Sequence, residues 1–205
     1  MTIAQPQPPV NSIRKARDSQ LPAVADTLAA AFQDDPVISW VVPDPIRRRQ
    51  IMPGFFELMA AASHEHDEVY TTADCDGAAL WVPPDALDMP DEDTEAFAAE
   101  IVHATAEFSE SMLELFEVLN EHHPHEGHYY LPVVGTRPEH QGRGIGSALL
   151  RPVLERCDAV GLPAYLEATS PRNIRLYERN GFEVTRELIV PDGPTLWAMR
   201  RAPAA

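Results

Sequence analysis

The chain has 205 residues, 44% of them hydrophobic, enough to bury a substantial core, and its formal net charge of −16 argues against a nucleic-acid partner, which needs clustered Lys and Arg. Two cysteines, Cys75 and Cys157, make no disulfide framework, and no stretch approaches the roughly 20 apolar residues that span a membrane. Met1–Val10 lacks the apolar run of a secretory leader, so a cytoplasmic protein is expected. The acidity suits a cationic small molecule such as an amine, and equally serves solubility alone.

Residues 1–11, with Pro6, Pro8 and Pro9, read as a disordered tail, and 12–205 as a single domain. Ile13–Ala16 alternates as a first strand. Asp18 and Ser19 are candidate N-caps for a helix with Leu21, Val24, Ala25, Leu28 and Phe32 on one face, ending at Asp34-Asp35-Pro36. Val37–Pro45 reads as a loop exposing Trp40. A second helix covers Ile46–Ser63, with Pro53 kinking or splitting it. Glu68–Ala73 and Ala78–Val82 read as strands joined by the turn Asp74-Cys75-Asp76-Gly77. From Asp91 to Leu119 an amphipathic stripe runs through Phe97, Ile101, Phe108, Met112 and Leu115, with a break expected near Ser109 and Ser111.

Tyr129–Thr136 is a predicted strand, Gly144–Val160 a helix kinked at Pro152, and Ala164–Thr169 a second strand, which together imply a parallel crossover. Pro171–Asn180 forms a short helix, and Glu183–Val190 with Thr195–Arg200 a hairpin through Asp192-Gly193. His122, His123, His125 and His128 match no metal-binding spacing and read as a flexible polar loop, so no metal is expected.

A strand entering Gln141-Gly142-Arg143-Gly144-Ile145-Gly146 and then a helix presents backbone N–H groups at a positive helix end, an arrangement that binds phosphate. A Walker loop would need a Lys that is missing here. A dinucleotide loop would need a third glycine where Ser147 stands. The remaining pattern, Gln/Arg-x-x-Gly-x-Gly/Ala, is matched by Gln141, Gly144 and Gly146.

This segment resembles the coenzyme A signature of the GNAT superfamily, and Asn173-x-x-x-Tyr177 followed by Gly181-Phe182 is similar to a second GNAT segment. Residues from about 129 to 201 resemble the puromycin N-acetyltransferase type of GNAT protein, through Pro138-Glu139-His140-Gln141-Gly142-Arg143-Gly144-Ile145-Gly146-Ser147-Ala148, Gly161-Leu162-Pro163-Ala164-Tyr165-Leu166-Glu167-Ala168 and Pro191-Asp192-Gly193-Pro194. The first half is similar only loosely, around Thr27–Phe32.

The resemblance implies an α/β (α+β) GNAT fold: a mixed, mostly antiparallel twisted sheet of about seven strands with flanking helices, and a parallel pair splayed around the cofactor. It implies acetyl-CoA as co-substrate; a small-molecule amine is the expected acceptor, and a monomer or homodimer the expected state. Cofactor contacts are then expected from Val133, Val134 and Gly135 on a bulged strand, from Gln141 through Ser147, and from Asn173 and Tyr177. Tyr177 would protonate the leaving thiolate, or simply pack its ring in the core. The Val134 N–H would polarise the thioester carbonyl. Glu167 is the first candidate for the base, with His128 and Tyr130 behind it; it also reads as a charged strand end. Asp34, Asp35, Trp40 and Tyr130 are candidates for the acceptor side, with a solvated helix end the alternative for the two acids. Protein or peptide acetylation, and a non-catalytic coenzyme A-binding sensor, are the competing functions.

Overall fold

The computed structural model describes residues 12–88 and 90–204, so the expected tail at 1–11 lies outside the described residues. Seven strands form one sheet in the order β1-β2-β3-β4-β5-β7-β6. They are β1 (Arg14–Lys15), β2 (Val69–Thr71), β3 (Gly77–Val82), β4 (Tyr129–Thr136), β5 (Ala164–Ala168), β6 (Glu183–Ile189) and β7 (Thr195–Arg201). Every neighbouring pair is antiparallel except β4–β5, which is parallel and joined by the crossover helix α6 (Ile145–Val160).

Strand alternation divides the core between the two faces of the sheet. One face carries Leu80, Val133, Tyr165, Leu188 and Ala198 beneath α1 (Leu21–Ala31), α2 (Pro36–Val41), α3 (Pro45–Glu65), α4 (Asp91–Thr105) and α5 (Ser109–His122). The other carries Tyr129, Leu131, Leu166, Ala168 and Met199 beneath α6 and α7 (Pro171–Glu178).

Several local expectations change. Asp18 and Ser19 do not cap α1; they lie in a 3₁₀ turn over Asp18–Gln20 closed by Gln20 N–H donating to Arg17 O, and Asp18 bonds the His64 ring instead. The segment after Pro36 is not a loop. Asp35 Oδ1 accepts from the N–H groups of Val37 and Ile38, Pro36 fits the first turn, and the resulting α2 buries Val37, Ile38 and Val41. Trp40 therefore lies on a helix, only partly exposed, its indole N–H donating to Asp192 O at 3.0 Å and pinning the β6–β7 turn.

Asp44 caps α3 in the same manner, and the helix continues through Pro53 as a single element. The long stripe does break, at a 3₁₀ turn over Ala106–Phe108 where Ala106 takes a positive φ of 50°. α6 likewise runs through Pro152 and stops at Gly161, whose φ of 71° is the left-handed exit that glycine favours.

The irregularity in β4 is displaced from its expected place. Val133, Val134, Gly135 and Thr136 pair regularly with Leu80, Ala79, Ala78 and Gly77; the extra residue falls at Leu131–Pro132, opposite Trp81. Proline has no N–H to give the ladder, so the ladder slips there. The slip lets Tyr130 and Val133, three apart, both contact the face under α1–α5. Gly135 is glycine for another reason than irregular geometry: a Cβ there would stand 2.8 Å from the Ala31 Cβ, so its absence lets α1 lie directly on β4.

Candidate active site

The parallel pair β4–β5 is short. Tyr129 pairs with Ala164 and Tyr130 with Tyr165; beyond that β5 continues with β7 while β4 continues with β3. From Leu131 onward the β5-facing edge of β4 lines an opening. Which groups point into it follows from the ladder. Arg137 N–H donates to Asp76 O across β3–β4, so in an antiparallel ladder Gly135 and Val133 also face β3, while Val134 and Thr136 present N–H and C=O to the opening. The Thr136 carbonyl there accepts from Gln141 Nε2 at 3.1 Å.

The glycine loop sits at the end of this opening. Gly142 and Gly144 have φ of 75° and 80°, and Gly144 is the left-handed N-cap of α6. The first α6 bond runs from Ala148 N–H to Gly144 O, which leaves the N–H groups of Ile145, Gly146 and Ser147 ahead of the helical ladder at its positive end. Gln141, Gly142, Arg143 and Gly144 are exposed; Arg143 donates to Glu139 O. A Cβ on Gly146 would meet Leu176 at 3.1 Å, which brings α7 close to the loop, and Arg172 reaches Gln141 across the same gap. A cleft of about 660 Å³ opens beside Gly144 and Ser147, between α6 and the α7–β6 turn, with Arg151, Arg179 and Arg201 on its walls.

Ser170 caps α7 through Asn173 N–H and Pro171 occupies the first turn, placing Asn173 half-exposed and Tyr177 buried on one side of the helix. Burial, and then the Asp35 charge, push the Tyr177 phenol above its ordinary range, so it keeps its proton at neutral pH. Asp35 owes its position to a contact absent from any local pattern: its Oδ2 accepts from Thr169 Oγ1 at 2.5 Å, tying the start of α2 to the end of β5. Burial raises the Asp35 carboxyl in turn, against the bonds from Thr169, Ile38 and Val37. Its neighbour Asp34 is exposed.

On the opposite face of β5, Glu167 Oε2 accepts from the Tyr130 hydroxyl at 2.9 Å, and Oε1 is buried without a partner. Burial lifts this carboxyl to about 7, against the lowering effect of the Tyr130 and Tyr165 hydroxyls. His123 and His128 pack behind the tyrosines rather than forming a polar loop. His123 meets the Tyr130 ring edge-on at 4.6 Å and the Tyr165 ring at 5.3 Å, and its Nε2 lies 3.1 Å from His128 Nε2. The tautomers follow. His128 Nδ1, 2.7 Å from Glu126 O, must donate to that carbonyl, so its Nε2 accepts and His123 Nε2 donates. Burial and then the facing His128 hold His123 down at about 4, and burial lowers His128 also. Both are neutral near pH 7.

The arrangement thus joins a helix start with N–H groups ahead of its ladder on one face to a buried carboxylate on the other, through an opening edged by Val134. Thr169, Tyr165 and His123 join it through contacts distant in sequence; among them only Tyr165, alternating with Glu167 along β5, carries a local signal.

Residues 112–182 match the Acetyltransferase (GNAT) family model, a span that includes the glycine loop, β5 and α7. An uncharacterised N-acetyltransferase of Schizosaccharomyces pombe is 28% identical over 178 residues, covering 77% of this chain and 68% of that protein. Among solved structures, one from Corynebacterium glutamicum described as histone acetyltransferase HPA2 and related acetyltransferase superposes with a TM-score of 0.66 at 28% identity, covering 95% of this chain and 97% of that one. The fold is shared at 14% identity with arylalkylamine N-acetyltransferase 2 of Aedes aegypti (TM-score 0.62, 94% and 99% covered) and a polyamine N-acetyltransferase of Drosophila melanogaster (TM-score 0.59, 93% and 99% covered). Family match over residues 112–182, relative and fold agree on an acetyltransferase whose fold matches that of its GNAT structural neighbours.

Proposed function

We propose that the chain transfers an acetyl group from acetyl-CoA to the primary amine of a small molecule by direct attack. The observation that carries this is the opening between β4 and β5, with the glycine loop at one end and Glu167 on the far face. The diphosphate of the co-substrate fits the N–H groups of Ile145, Gly146 and Ser147, with Gln141, Gly142, Arg143 and Gly144 around it. The nucleotide end fits the cleft beside Ser147. The pantetheine arm then follows the free edge of β4 past Val134, with Asn173 on the other side; Val133 and Gly135, whose N–H and C=O groups are turned to β3, only flank it. The Val134 N–H points into the opening, where it donates to the thioester carbonyl as charge develops on oxygen.

Glu167 takes the amine proton, and Tyr177, kept protonated by burial and by Asp35, returns one to the departing thiolate. Asp35 and Tyr130 border the acceptor path. Trp40, committed to Asp192 O, holds the hairpin tip, and exposed Asp34 adds only charge.

The small-molecule reading draws on the acidity of the chain and on the amine acetyltransferases that share the fold. The resemblance of residues 129–201 to the puromycin type puts aminonucleosides among the acceptors to test. The test is a thiol-release screen with acetyl-CoA against arylalkylamines, polyamines, aminonucleosides, aminoglycosides and N-terminal peptides. Turnover with a free amine and not with peptides supports the proposal. Turnover confined to peptides replaces it with peptide acetylation, and silence with co-substrate bound replaces it with a sensor.

A further inference from the structure

Glu167 is asymmetric. One carboxylate oxygen holds the Tyr130 hydroxyl at 2.9 Å; the other, Oε1, is buried with no donor. Two residues earlier on β5, and so on the same face, stands Tyr165, 2% exposed, whose hydroxyl is likewise buried with no acceptor. An unmet buried donor beside an unmet buried acceptor is an expensive arrangement unless the two serve each other in some state of the protein. A neutral carboxyl needs one hydroxyl and can spare the other, whereas an ionised one gains from every donor within reach.

We propose that Tyr165 is a positioning residue of the acetyl transfer: it closes its hydroxyl on Glu167 Oε1 when that carboxylate is ionised, completing with Tyr130 a two-hydroxyl clamp that sets where the base titrates. The inference rests on the reading of Glu167 as base for its catalytic consequence, though not for the clamp itself. The other groups around the carboxyl leave this role to the tyrosines. His123 and His128, behind the Tyr130 and Tyr165 rings, are neutral and engaged with each other. Arg186 of β6 acts on Tyr165, lowering it, while Glu167 acts on Tyr165 more strongly in the opposite sense. From β7 the residue paired with Glu167 is Ala198, which carries no charge. Asp35 lies beyond the end of β5, bonded to Thr169. The interaction with Tyr165 lowers Glu167, second among the hydroxyls to that of Tyr130.

The experiment compares the parent with Tyr165→Phe, Tyr130→Phe and Glu167→Gln. Phenylalanine keeps the ring that packs on His123, so the fold is retained and only the hydroxyl is removed. Two readouts are taken: the acid limb of kcat/KM against pH, and the titration of the Glu167 carboxyl by ¹³C NMR, assigned by its disappearance in Glu167→Gln. Losing one hydrogen bond to a carboxylate raises its pKa by about one unit. The clamp predicts that Tyr165→Phe moves both the acid limb and the carboxyl titration upward by about that amount, in the direction Tyr130→Phe moves them. A Tyr165→Phe carboxyl titration superimposable on the parent's overturns it. If the titration moves but Glu167→Gln keeps both turnover and acid limb, the clamp stands and the base assignment falls.

Discussion

Replacing Glu167 by Gln should make the protein more stable at high pH while disabling it. The carboxyl titrates at about 7 in the fold against 4.5 in an unfolded chain, with burial as the main cause. A folded value raised above the unfolded one means that stability is fully present below pH 4.5 and is lost as pH rises through 7. At about 1.4 kcal/mol per pH unit, the displacement from 4.5 to about 7 corresponds to about 3.5 kcal/mol, trimmed toward about 2 kcal/mol because the residue as a whole is only partly buried. Gln is isosteric, never ionises, and still accepts from Tyr130. Urea unfolding at pH 5 and pH 8.5 should find the variant close to the parent at the lower pH and more stable by about 2 kcal/mol at the higher one. Turnover should fall by about 10²-fold or more, the usual worth of a general base. A variant no more stable than the parent at pH 8.5 would refute the reasoning that burial raises this carboxyl.

Gly144→Glu places a side chain at a φ of 80° and a negative charge at the mouth of the loop; acetyl-CoA affinity measured by calorimetry should drop at least about tenfold, and unchanged affinity would remove the loop from the site. Tyr177→Phe should lower kcat by about 10²-fold with acetyl-CoA affinity preserved, and full turnover across the pH range would remove its acid role. The neutral His123–His128 pair gives a second stability limb: His123 is depressed to about 4 from 6.5, so stability is whole above pH 6.5 and drains as pH falls toward 4. His123→Phe should flatten that limb in thermal melts between pH 4 and pH 7. Gly135→Ala forces a Cβ to within 2.8 Å of the Ala31 Cβ; the backbone of α1 must shift, at about 1–3 kcal/mol, read as a lower urea midpoint.

The features legible in the sequence are those written in short-range chemistry. The span Tyr129–Thr136 was readable to the residue, because alternation runs from a histidine-rich turn to Arg137-Pro138. The glycine loop was readable because Gly142 and Gly144 adopt conformations other residues avoid. The helix at Pro36–Val41 was not, since its single turn and a half is held by a cap on Asp35 and by burial under the hairpin tip, and the latter is decided 152 residues away by Asp192. The ladder slip in β4 has a local signal, the missing N–H of Pro132, whereas the family resemblance places the irregularity at Val133–Gly135. The face under α1–α5 is the least legible part. Asp35 meets Thr169 across 134 residues, and Tyr130 meets Glu167 across 37, so no periodicity could bring them together. His123 and His128 looked like solvated loop residues because polar composition carries no record of the tyrosine rings that bury them.

The most direct measurement is a titration of ¹⁵N-labelled protein with coenzyme A, following the backbone amides by NMR. If the free edge of β4 and the start of α6 hold the co-substrate, the amides of Val134, Ile145, Gly146 and Ser147 shift together and saturate with one affinity. Saturating coenzyme A that leaves those four amides unmoved, while shifting others, would contradict the account.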